Sequence, residues 1–438
     1  MSDITQKIFN TLDSVLNDNE QFKPLHIPIF DESEIDYVTD CIRSNFVSSV
    51  GAYVNKLELM LQDYTGIKHA ILTVNGTAAL HVSLVLVGVK QHDEVLMPAM
   101  TFIATANAVS YINATPHFVD VDEQTLGIDS DKLDAYLAGT TEIKQGECFN
   151  KVTGKRIKAI VPMHTFGHSV DMDKLNAVAN KYHIVVVEDA AESLGSFYKG
   201  KHTGHFSQVA ALSFNGNKII TTGGGGAILT NDDDLAKKAR HITTTAKVPH
   251  SWEYVHDSVA YNYRMPALNA ALGVGQMEKL ASLVDKKRAL AERYKAVFSS
   301  VEGVRFFVEP EYAVSNYWLN AIILDEKNEF FRNDILEFTN NHNIMTRPIW
   351  KLLNTLDMFA ECPKMDLSIS ESLEKVWVTD TMGMPFVRGG RTFYYFNNGN
   401  LQQSLLMVQE CESCKAEILL DPNSFSTDGT ISLSSAKA

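Results

Sequence analysis

Cysteine is scarce in this chain, with 5 residues among 438. Cys41, Cys148, Cys362, Cys411 and Cys414 form no even, regular framework, so we expect reduced thiols and exclude a small secreted fold held together by disulfides. Cys411-x-x-Cys414 has the spacing of a zinc-ligand pair. Neither a second pair nor well-spaced histidines lie near it, so no metal site is expected.

Long apolar runs, a basic leader and basic clusters are lacking as well. The longest apolar stretches, such as residues 81–89, are far too short to span a membrane and suit a core helix. The first residues do not combine a basic region with an apolar one, which predicts a cytoplasmic protein without a membrane partner. A net charge of -14 with no basic run argues against nonspecific binding of nucleic acid.

The chain does have a hydrophobic content of 45%, enough for a substantial core and for two domains. From about residue 64 to residue 236, short apolar runs alternate with helical patterns, which predicts an α/β fold around a mostly parallel sheet. Strands are predicted at 69–74, 94–98, 117–121, 157–163, 184–189, 208–213 and 226–230. Helices are predicted at 77–88, 101–112, 130–138 and 171–182. A long helical pattern at 267–298 leads to strand, strand and helix patterns, which predict a smaller α+β domain.

Lys218 and Asp189 form the first part of a candidate site. Lys218 lies in a hydroxyl- and glycine-lined turn between two apolar strands, where an amine loses part of its solvation and becomes available as a nucleophile. Asp189 ends the apolar run 184–189, and a carboxylate at the end of a strand can keep a pyridine nitrogen protonated. Taken singly, a solvated surface lysine and an Asp that caps a helix are the ordinary alternatives.

A second part of the site follows the first predicted strand. The turn after this strand leads into a helix whose first amides, those of Thr77 and Ala78, offer hydrogen bonds and a positive dipole end to a phosphate. Ser213 adds a hydroxyl, and Phe102 follows another strand on the same edge, where its ring can stack on a pyridine. Core packing is the ordinary alternative for Phe102, and an ordinary strand-helix junction is the alternative for the turn. An aldehyde, a pyridine and a phosphate together indicate pyridoxal 5′-phosphate (PLP).

These pieces, in this order, resemble the sugar-nucleotide aminotransferases of the DegT/DnrJ/EryC1/StrS family over about residues 22–373. The resemblance implies a fold type I PLP-dependent aminotransferase with a large domain and a smaller C-terminal domain. In that family the lysine of a Ser-Phe-x-x-x-Lys motif forms the Schiff base, so Lys218 takes that role. Asp189, in the Glu-Asp-Ala-Ala motif, pairs with the pyridine nitrogen. Glu192 stands where many relatives have a Gln that contacts the cofactor hydroxyl.

The resemblance also implies roles for residues that touch the cofactor. Phe102 matches the aromatic ring stacked on the cofactor, whereas Thr77, Ala78 and Ser213 match the positions that bind its phosphate. Asn262 matches a residue that reaches the phosphate of a neighbouring subunit, which implies a homodimer.

A narrower resemblance concerns the substrates. Residues 22–30 and 45–51 look like the branch that aminates C4 of a nucleotide-linked 4-keto-6-deoxy-N-acetylhexosamine, on the route to legionaminic-acid-type or bacillosamine-type sugars, with L-glutamate as the usual donor. On the substrate side the candidates are Ser48, Ser49 and Arg347. His164, at another strand end, is a candidate contact with sugar or cofactor, and a satisfied structural histidine is its alternative.

The organisation expected from these patterns has four parts. They are an N-terminal helix and arm (1–24), a large PLP-binding domain (25–285), a small C-terminal domain (286–375) and an atypical tail (376–438). The tail departs from the family pattern, and its end, rich in Ser, Thr and Gly, is expected to be disordered. A shifted reading frame and a lineage-specific extension are the two hypotheses for its origin, and the first is favoured.

Three other functions compete with the aminotransferase. A PLP-dependent sugar dehydratase is the alternative among enzymes, but relatives of that kind usually replace the Schiff-base lysine by His. The alternative from another class is a noncatalytic PLP-binding regulator or scaffold. The glycine run 223–226 suggests a dinucleotide-binding oxidoreductase, but it leads into a predicted strand instead of a helix, so the context of that fingerprint is wrong.

Overall fold

The structure of the chain is a computed structural model that describes residues 2–16, 22–375, 381–382, 386–388, 391–397, 405–409 and 417–421. The α-helices are α1 (Asp3–Val15), α2 (Glu32–Arg43), α3 (Ala52–Thr65), α4 (Gly76–Leu86), α5 (Ala104–Ser110), α6 (Ser130–Thr140), α7 (Met172–Lys181), α8 (Asp233–Thr243), α9 (Ala267–Phe298), α10 (Arg332–Asn341) and α11 (Ser368–Lys375). Short 3₁₀ turns lie at Thr165–Gly167, Glu326–Phe331, Leu353–Thr355 and Asp357–Phe359.

The strands are β1 (His69–Thr73), β2 (Glu94–Pro98), β3 (Thr115–Val119), β4 (Thr141–Lys144), β5 (Glu147–Asn150), β6 (Arg156–Ile160), β7 (Val185–Asp189), β8 (Phe197–Tyr198), β9 (Lys201–His202), β10 (Val209–Ser213), β11 (Gly226–Thr230), β12 (Lys247–Val248), β13 (Val255–His256), β14 (Val304–Phe306), β15 (Ala313–Val314), β16 (Ile322–Leu324), β17 (Thr381–Met382), β18 (Phe386–Arg388), β19 (Arg391–Asn397), β20 (Leu405–Gln409) and β21 (Glu417–Leu420).

A sheet of nine strands lies at the centre of the fold. Its main path runs β1-β11-β10-β7-β6-β2-β3, and the hairpin β4–β5 joins beside β6. The five strands from β10 to β3 run parallel, whereas β11 is antiparallel to β10 and to β1. The predicted mostly parallel α/β sheet is confirmed. The glycine run 223–226 leads into β11 and not into a helix, as expected.

Both faces of the sheet are covered, because successive side chains of a strand point to opposite faces. In β1, Ile71 packs in the same buried cluster as residues of α4. Ala70 and Leu72 join the cluster on the other face, which contains residues of α3 and α9. This sandwich fixes the strand ends in space and so fixes the residues that follow them.

The C-terminal part is joined to the large sheet by α9, a continuous helix of 32 residues. After it, β14 and β16 form an antiparallel pair, and α1 packs against α9 and α10. The boundaries at 24/25, 285/286 and 375/376 remain predictions, and α9 crosses the second of them without a break. In the described part of the chain, no helix is both long and apolar enough to cross a membrane.

The described pieces beyond residue 375 pair as an antiparallel sheet, in which β19 lies beside β20 and β20 beside β21. Cys411 and Cys414 lie outside the described residues, as does the serine- and threonine-rich end. The expectations of disorder and of no metal site there are therefore untested.

Candidate functional site

The carboxyl ends of neighbouring strands bring the predicted residues to one edge of the sheet. β7 and β10 run parallel with Asp189 opposite Ala211, so Asp189 and Ser213 end adjacent strands. Gly226 lies opposite both Ser213 and Thr73, which places the turn after β1 beside the same edge. Ligands of open α/β sheets collect at such an edge.

Lys218 lies in the turn that follows β10, where its backbone N–H donates to the Asn215 carbonyl over 3.0 Å. Its side chain is only 11% exposed, and Nζ lies 3.1 Å from Glu192 Oε1. Nζ also lies over the Trp318 ring, 4.1 Å from the centroid. A carboxylate and an aromatic face therefore hold the amine in place while leaving it at the edge where the strands end.

Two buried carboxyl groups face this amine. Asp189 accepts a hydrogen bond from Thr105 Oγ1 over 2.7 Å and one from the Ala191 amide over 3.2 Å. Glu192 accepts from the Phe166 amide over 2.9 Å through the oxygen that does not face Lys218. Burial raises the pKa of both carboxyls, which is opposed by the charge of Lys218. Asp189 is therefore a buried, hydrogen-bonded acid, the environment in which a carboxyl group can share a proton with a ring nitrogen.

The candidate phosphate cradle is the N-terminus of α4 together with Ser213. Asn75 caps the helix, and its Oδ1 accepts from the Ala78 amide over 2.8 Å. The sequence predicts two free amides here, but the cap already uses that of Ala78, which leaves Thr77. A Cβ on Gly76 would lie 2.7 Å from the Cβ of Ser213, so only glycine lets the turn approach this strand end so closely.

These features fit PLP. The arrangement combines an amine, a buried carboxyl group and a helix N-terminus packed against a serine, and it needs a glycine where any side chain would fill the cradle. Phe102 adds a ring that is 47% exposed and lies 6.3 Å, between centroids, from the Trp350 ring. An uncovered aromatic face at this edge is available for stacking.

His164 is buried, and both of its ring nitrogens are engaged. Nε2 lies 3.0 Å from Glu188 Oε2, and Nδ1 accepts from the Val170 amide over 3.2 Å. Glu188 also accepts from the Gly204 amide over 2.8 Å. Burial opposes ionisation of Glu188, but hydrogen bonds from His164 and Gly204 hold the pKa of this carboxyl below its usual value. No ring nitrogen is left for a sugar, so the arrangement is that of a satisfied structural histidine.

The three other substrate candidates do not lie together. The Ser48 carbonyl accepts from the Ala267 amide over 2.6 Å. Ser49 lines an open surface depression with Arg240 and Arg264. Arg347 is not among the residues of this depression; it lines an apolar cavity and donates to Asn340 Oδ1 over 2.9 Å. Within one chain, therefore, these residues do not form a single substrate pocket.

Asn262, predicted to act across an interface, is exposed in the single chain. It forms an isolated antiparallel bridge with Thr244, which lines the same depression as Ser49. Its contact with a neighbouring subunit remains a prediction.

Sequence reasoning did not identify Thr105, Phe166, Glu188 and Trp318 as site residues. Glu188 immediately precedes Asp189, and Thr105 lies in the first turn of α5, which follows β2 on the same edge, so a local pattern could have indicated both. Trp318 is brought to Lys218 from the C-terminal part of the chain, and no local pattern points to it.

The chain is similar to known proteins over most of its length. A family model described as the DegT/DnrJ/EryC1/StrS aminotransferase family matches residues 28–383. The putative pyridoxal phosphate-dependent aminotransferase EpsN of Bacillus subtilis (strain 168) is 38% identical over 328 residues, covering 74% of this chain and 81% of EpsN. A GDP-perosamine synthase of Caulobacter vibrioides is 36% identical over 348 residues, covering 79% of this chain and 89% of the synthase.

A solved structure is similar as well. The putative sugar aminotransferase Spr1654 of Streptococcus pneumoniae, in its PMP-form, superposes with a TM-score of 0.70 at 26% identity, over 77% of this chain and 86% of Spr1654. A second family model, the N-terminal β-propeller domain of prolyl oligopeptidase, matches residues 353–438 and overlaps the first over residues 353–383. A shifted reading frame and a lineage-specific extension remain hypotheses for the origin of the tail, and the likeness to the β-propeller domain is a further observation about the same residues.

Proposed function

Because the chain belongs to the DegT/DnrJ/EryC1/StrS aminotransferase family, we propose that it moves the amino group of L-glutamate to C4 of a nucleotide-linked 4-keto-6-deoxy-N-acetylhexosamine. The donor leaves as 2-oxoglutarate and the sugar gains an amine. The observation that carries the proposal is the position of Lys218 Nζ, between Glu192 and the Trp318 ring and beside the strand that ends at Asp189. The likeness to a GDP-perosamine synthase supports a nucleotide-linked sugar as acceptor.

PLP would be held by the residues of this edge. Thr77 and Ser213 would bind its phosphate, Phe102 its face, Glu192 its hydroxyl and Asp189 its ring nitrogen. When bound, PLP supplies an electron-withdrawing ring that stabilises negative charge on the substrate carbon next to the nitrogen.

The protein's own part in the reaction is proton transfer and electrostatic support. Lys218 Nζ removes the proton from the α-carbon of glutamate and later returns a proton to C4 of the sugar. Asp189 keeps a proton at the ring nitrogen, which stabilises the charge that develops in both half-reactions. Trp318 covers the amine on one side, and the Phe166 ring packs near that of Trp318, so both limit the access of water.

We propose that the working unit is a homodimer engaged in the synthesis of bacterial surface sugars in the cytoplasm. Asn262 is exposed in a single chain and would complete the phosphate site of a neighbouring subunit. The likeness to EpsN and Spr1654 supports a sugar aminotransferase, and the N-acetylhexosamine acceptor rests on the resemblance of residues 22–30 and 45–51.

The direct test is spectroscopic. Protein supplied with PLP is expected to show a visible absorbance band that bleaches on addition of L-glutamate, and borohydride is expected to fix the cofactor to the peptide that contains Lys218. Lys218→Ala removes both results because no other amine occupies that position, whereas Lys237→Ala, at an exposed lysine of α8, changes neither.

A substrate panel then tests the reaction itself. UDP- and GDP-linked 4-keto-6-deoxy sugars are incubated with protein and glutamate, and an amino sugar is sought by mass spectrometry. A band that stays unchanged with every amino donor would favour the PLP-binding regulator. Loss of a sugar hydroxyl without amination would favour the dehydratase.

A further inference from the structure

A cavity of about 570 Å³ lies between α9, α10, β16 and the extended run 344–350. We call it the β16 cavity. Its walls are mostly apolar and include Tyr294, Phe298, Ile322, Leu324, Ile335 and Ile349. A volume of this size is in the range of ligand pockets, roughly 300–1,000 Å³. Protein cores are normally close-packed, so an apolar space this large is room that a ligand can fill.

One wall of the cavity is the free edge of a strand. β16 pairs with β14 on its other side, where Phe307 N–H donates to the Ala321 carbonyl over 2.9 Å and Asp325 N–H donates to the Gly303 carbonyl over 3.0 Å. Backbone groups alternate in direction along an antiparallel strand, so the N–H and C=O of Ile322 and Leu324 point away from β14. Among the described residues, no strand pairs with this edge.

Polar groups in the walls are also left without partners. Arg332 Nε and Nη1 and Asn320 Oδ1 are buried and make no hydrogen bond in the described part of the chain, and both residues line the cavity. Burial lowers the pKa of Arg332 to about 10. Buried polar groups of native proteins are nearly always paired, so these atoms indicate a ligand that brings both acceptors and donors.

The charges of the lining have one sign. Lys287, Arg332 and Arg347 line the cavity, and no Asp or Glu of the described residues does so. An occupant with a carboxylate would therefore be favoured.

We propose that the β16 cavity binds an extended peptide, which adds as a strand to the free edge of β16 and directs a carboxylate to Arg332. Alternate apolar side chains of the peptide would pack on α9 and α10. An acyl chain with a carboxylate would satisfy Arg332 but would leave the backbone groups of Ile322 and Leu324 unpaired. A peptide can pair both with Arg332 and with the backbone groups of Ile322 and Leu324. This site does not depend on the proposed transamination.

The test uses the full chain and a hexapeptide of alternating Thr and Val with a fluorescent N-terminus and a free C-terminal carboxylate. We expect saturable binding by fluorescence anisotropy and a higher melting temperature of the protein. Two further peptides carry N-methyl groups on either the Thr or the Val amides. Because successive N–H groups point in opposite directions, at least one of them is expected to bind about tenfold more weakly or worse.

Equal binding of all three peptides, or no binding of any, would overturn the proposal. Tight binding of decanoate without binding of the peptide would assign the cavity to an acyl chain. Displacement of the peptide by UDP or GDP would assign it to the nucleotide of the substrate, because one end of the cavity reaches Trp318 and Phe166 beside Lys218. Both results contradict the peptide site.

A variant tests the role of the unpartnered guanidinium. Arg332→Met is expected to weaken the peptide about tenfold, since it removes a charge-assisted hydrogen bond, and to have no effect on the C-terminally amidated peptide. Arg43→Met, at the exposed end of α2, is the matched control. An equal effect of Arg332→Met on both peptides would show that Arg332 does not bind the carboxylate.

Discussion

The approach of Gly76 to Ser213 decides how closely two parts of the site can meet. A side chain at position 76 would force apart the turn after β1 and the end of β10, because its Cβ would lie 2.7 Å from Ser213 Cβ. Both flanking elements are anchored in the packed sheet and cannot retreat freely. The close approach of the two parts of the phosphate cradle therefore depends on the lack of a Cβ at position 76.

Gly76→Ala is accordingly expected to destabilise the protein by about 1–3 kcal/mol through overpacking. We also expect it to weaken PLP binding roughly tenfold, as a cradle displaced by a fraction of an ångström would. Thermal unfolding without cofactor and absorbance titration with PLP measure the two effects.

The matched control is Gly139→Ala, in α6, where a Cβ would meet nothing within 4 Å. It is expected to stabilise the helix by about 0.5–1 kcal/mol, because Ala loses less backbone entropy than Gly. Equal responses of the two variants would contradict the role of Gly76 in the cradle.

At the scale of single residues, Lys218 and Asp189 were predictable from nearby strand patterns. Asp189 ends an apolar run that predicts a strand, and Lys218 lies in the turn that follows another such run. Trp318, which covers Lys218, was not predictable, because it reaches the lysine through tertiary packing, which leaves no periodic mark in the sequence. Thr105, the partner of Asp189, lies just after a predicted strand on the same edge, so a local pattern could have indicated it. The sequence also did not show that the Ala78 amide is engaged, because an Asn before a Gly is as typical of a turn as of a helix cap, which is the role that Asn75 has.

Among the elements, α9 connects the large sheet to the C-terminal part and carries a partly buried lysine toward the site. Lys287 Nζ donates to the Trp318 carbonyl over 3.1 Å, so it supports the residue that covers Lys218. Burial lowers the pKa of Lys287 to about 8. The pKa of a lysine in an unfolded chain is about 10.4, so folding opposes the charged form of Lys287.

The sign of the pH dependence follows from proton binding. Between pH 8 and about 10.4 the unfolded chain holds a proton at Lys287 that the folded chain has lost, so stability rises with pH across this window. Below pH 8 the cost of burying the charge is fully present. Lys287→Met is therefore expected to be more stable than the parent at pH 7, by at most about 3 kcal/mol.

Chemical denaturation at pH 7 and pH 10 measures this difference, which is expected to shrink at the higher pH. Lys286→Met, at the neighbouring exposed position, controls for the loss of a positive charge and is expected to change little. A Lys287→Met variant less stable than the parent at pH 7 would show that the bond to the Trp318 carbonyl outweighs the cost of burial.

The positions of helices and strands along the chain were largely predictable from the sequence, whereas the direction of a strand in the sheet was not. The strand predicted at 184–189 is observed at Val185–Asp189, and the helical pattern at 267–298 is α9. The helix predicted from residue 101 begins only at Ala104, without a side-chain cap. The antiparallel direction of β11 depends on the tight return of the chain through the glycine run, which an apolar pattern does not encode.

For the whole molecule, the proposed dimer makes each site depend on two chains. Lys218→Ala and Asn262→Ala chains are each expected to be impaired alone. When the two variants are co-expressed with different tags, some dimers contain one chain of each. In such a mixed dimer the intact Lys218 of one chain meets the intact Asn262 of the other, so one of the two sites is complete.

Random pairing makes half of the dimers mixed, so about a quarter of the parent activity is expected at limiting PLP. Purification through both tags enriches the mixed species and provides the sharper measurement. If Asn262 serves the site of its own chain, the mixture will be no more active than the two variants measured separately.

At this scale the chain also has two likenesses that overlap. The aminotransferase family model extends to residue 383 and the β-propeller model begins at residue 353. The departure from the family pattern after Lys375 is visible in the sequence, but the likeness to a β-propeller is not, because strand patterns in short segments are common to many folds and do not by themselves indicate an origin.

The contact between Trp318 and Lys218 has a consequence for biosynthesis. Trp318 is added to the nascent polypeptide 100 residues after Lys218. At translation rates of about 5–20 residues per second, the amine is incorporated on the order of 5–20 seconds before the indole that will shield it. During that interval the amine is not yet shielded from aldehydes, so early binding of PLP would protect each newly made chain.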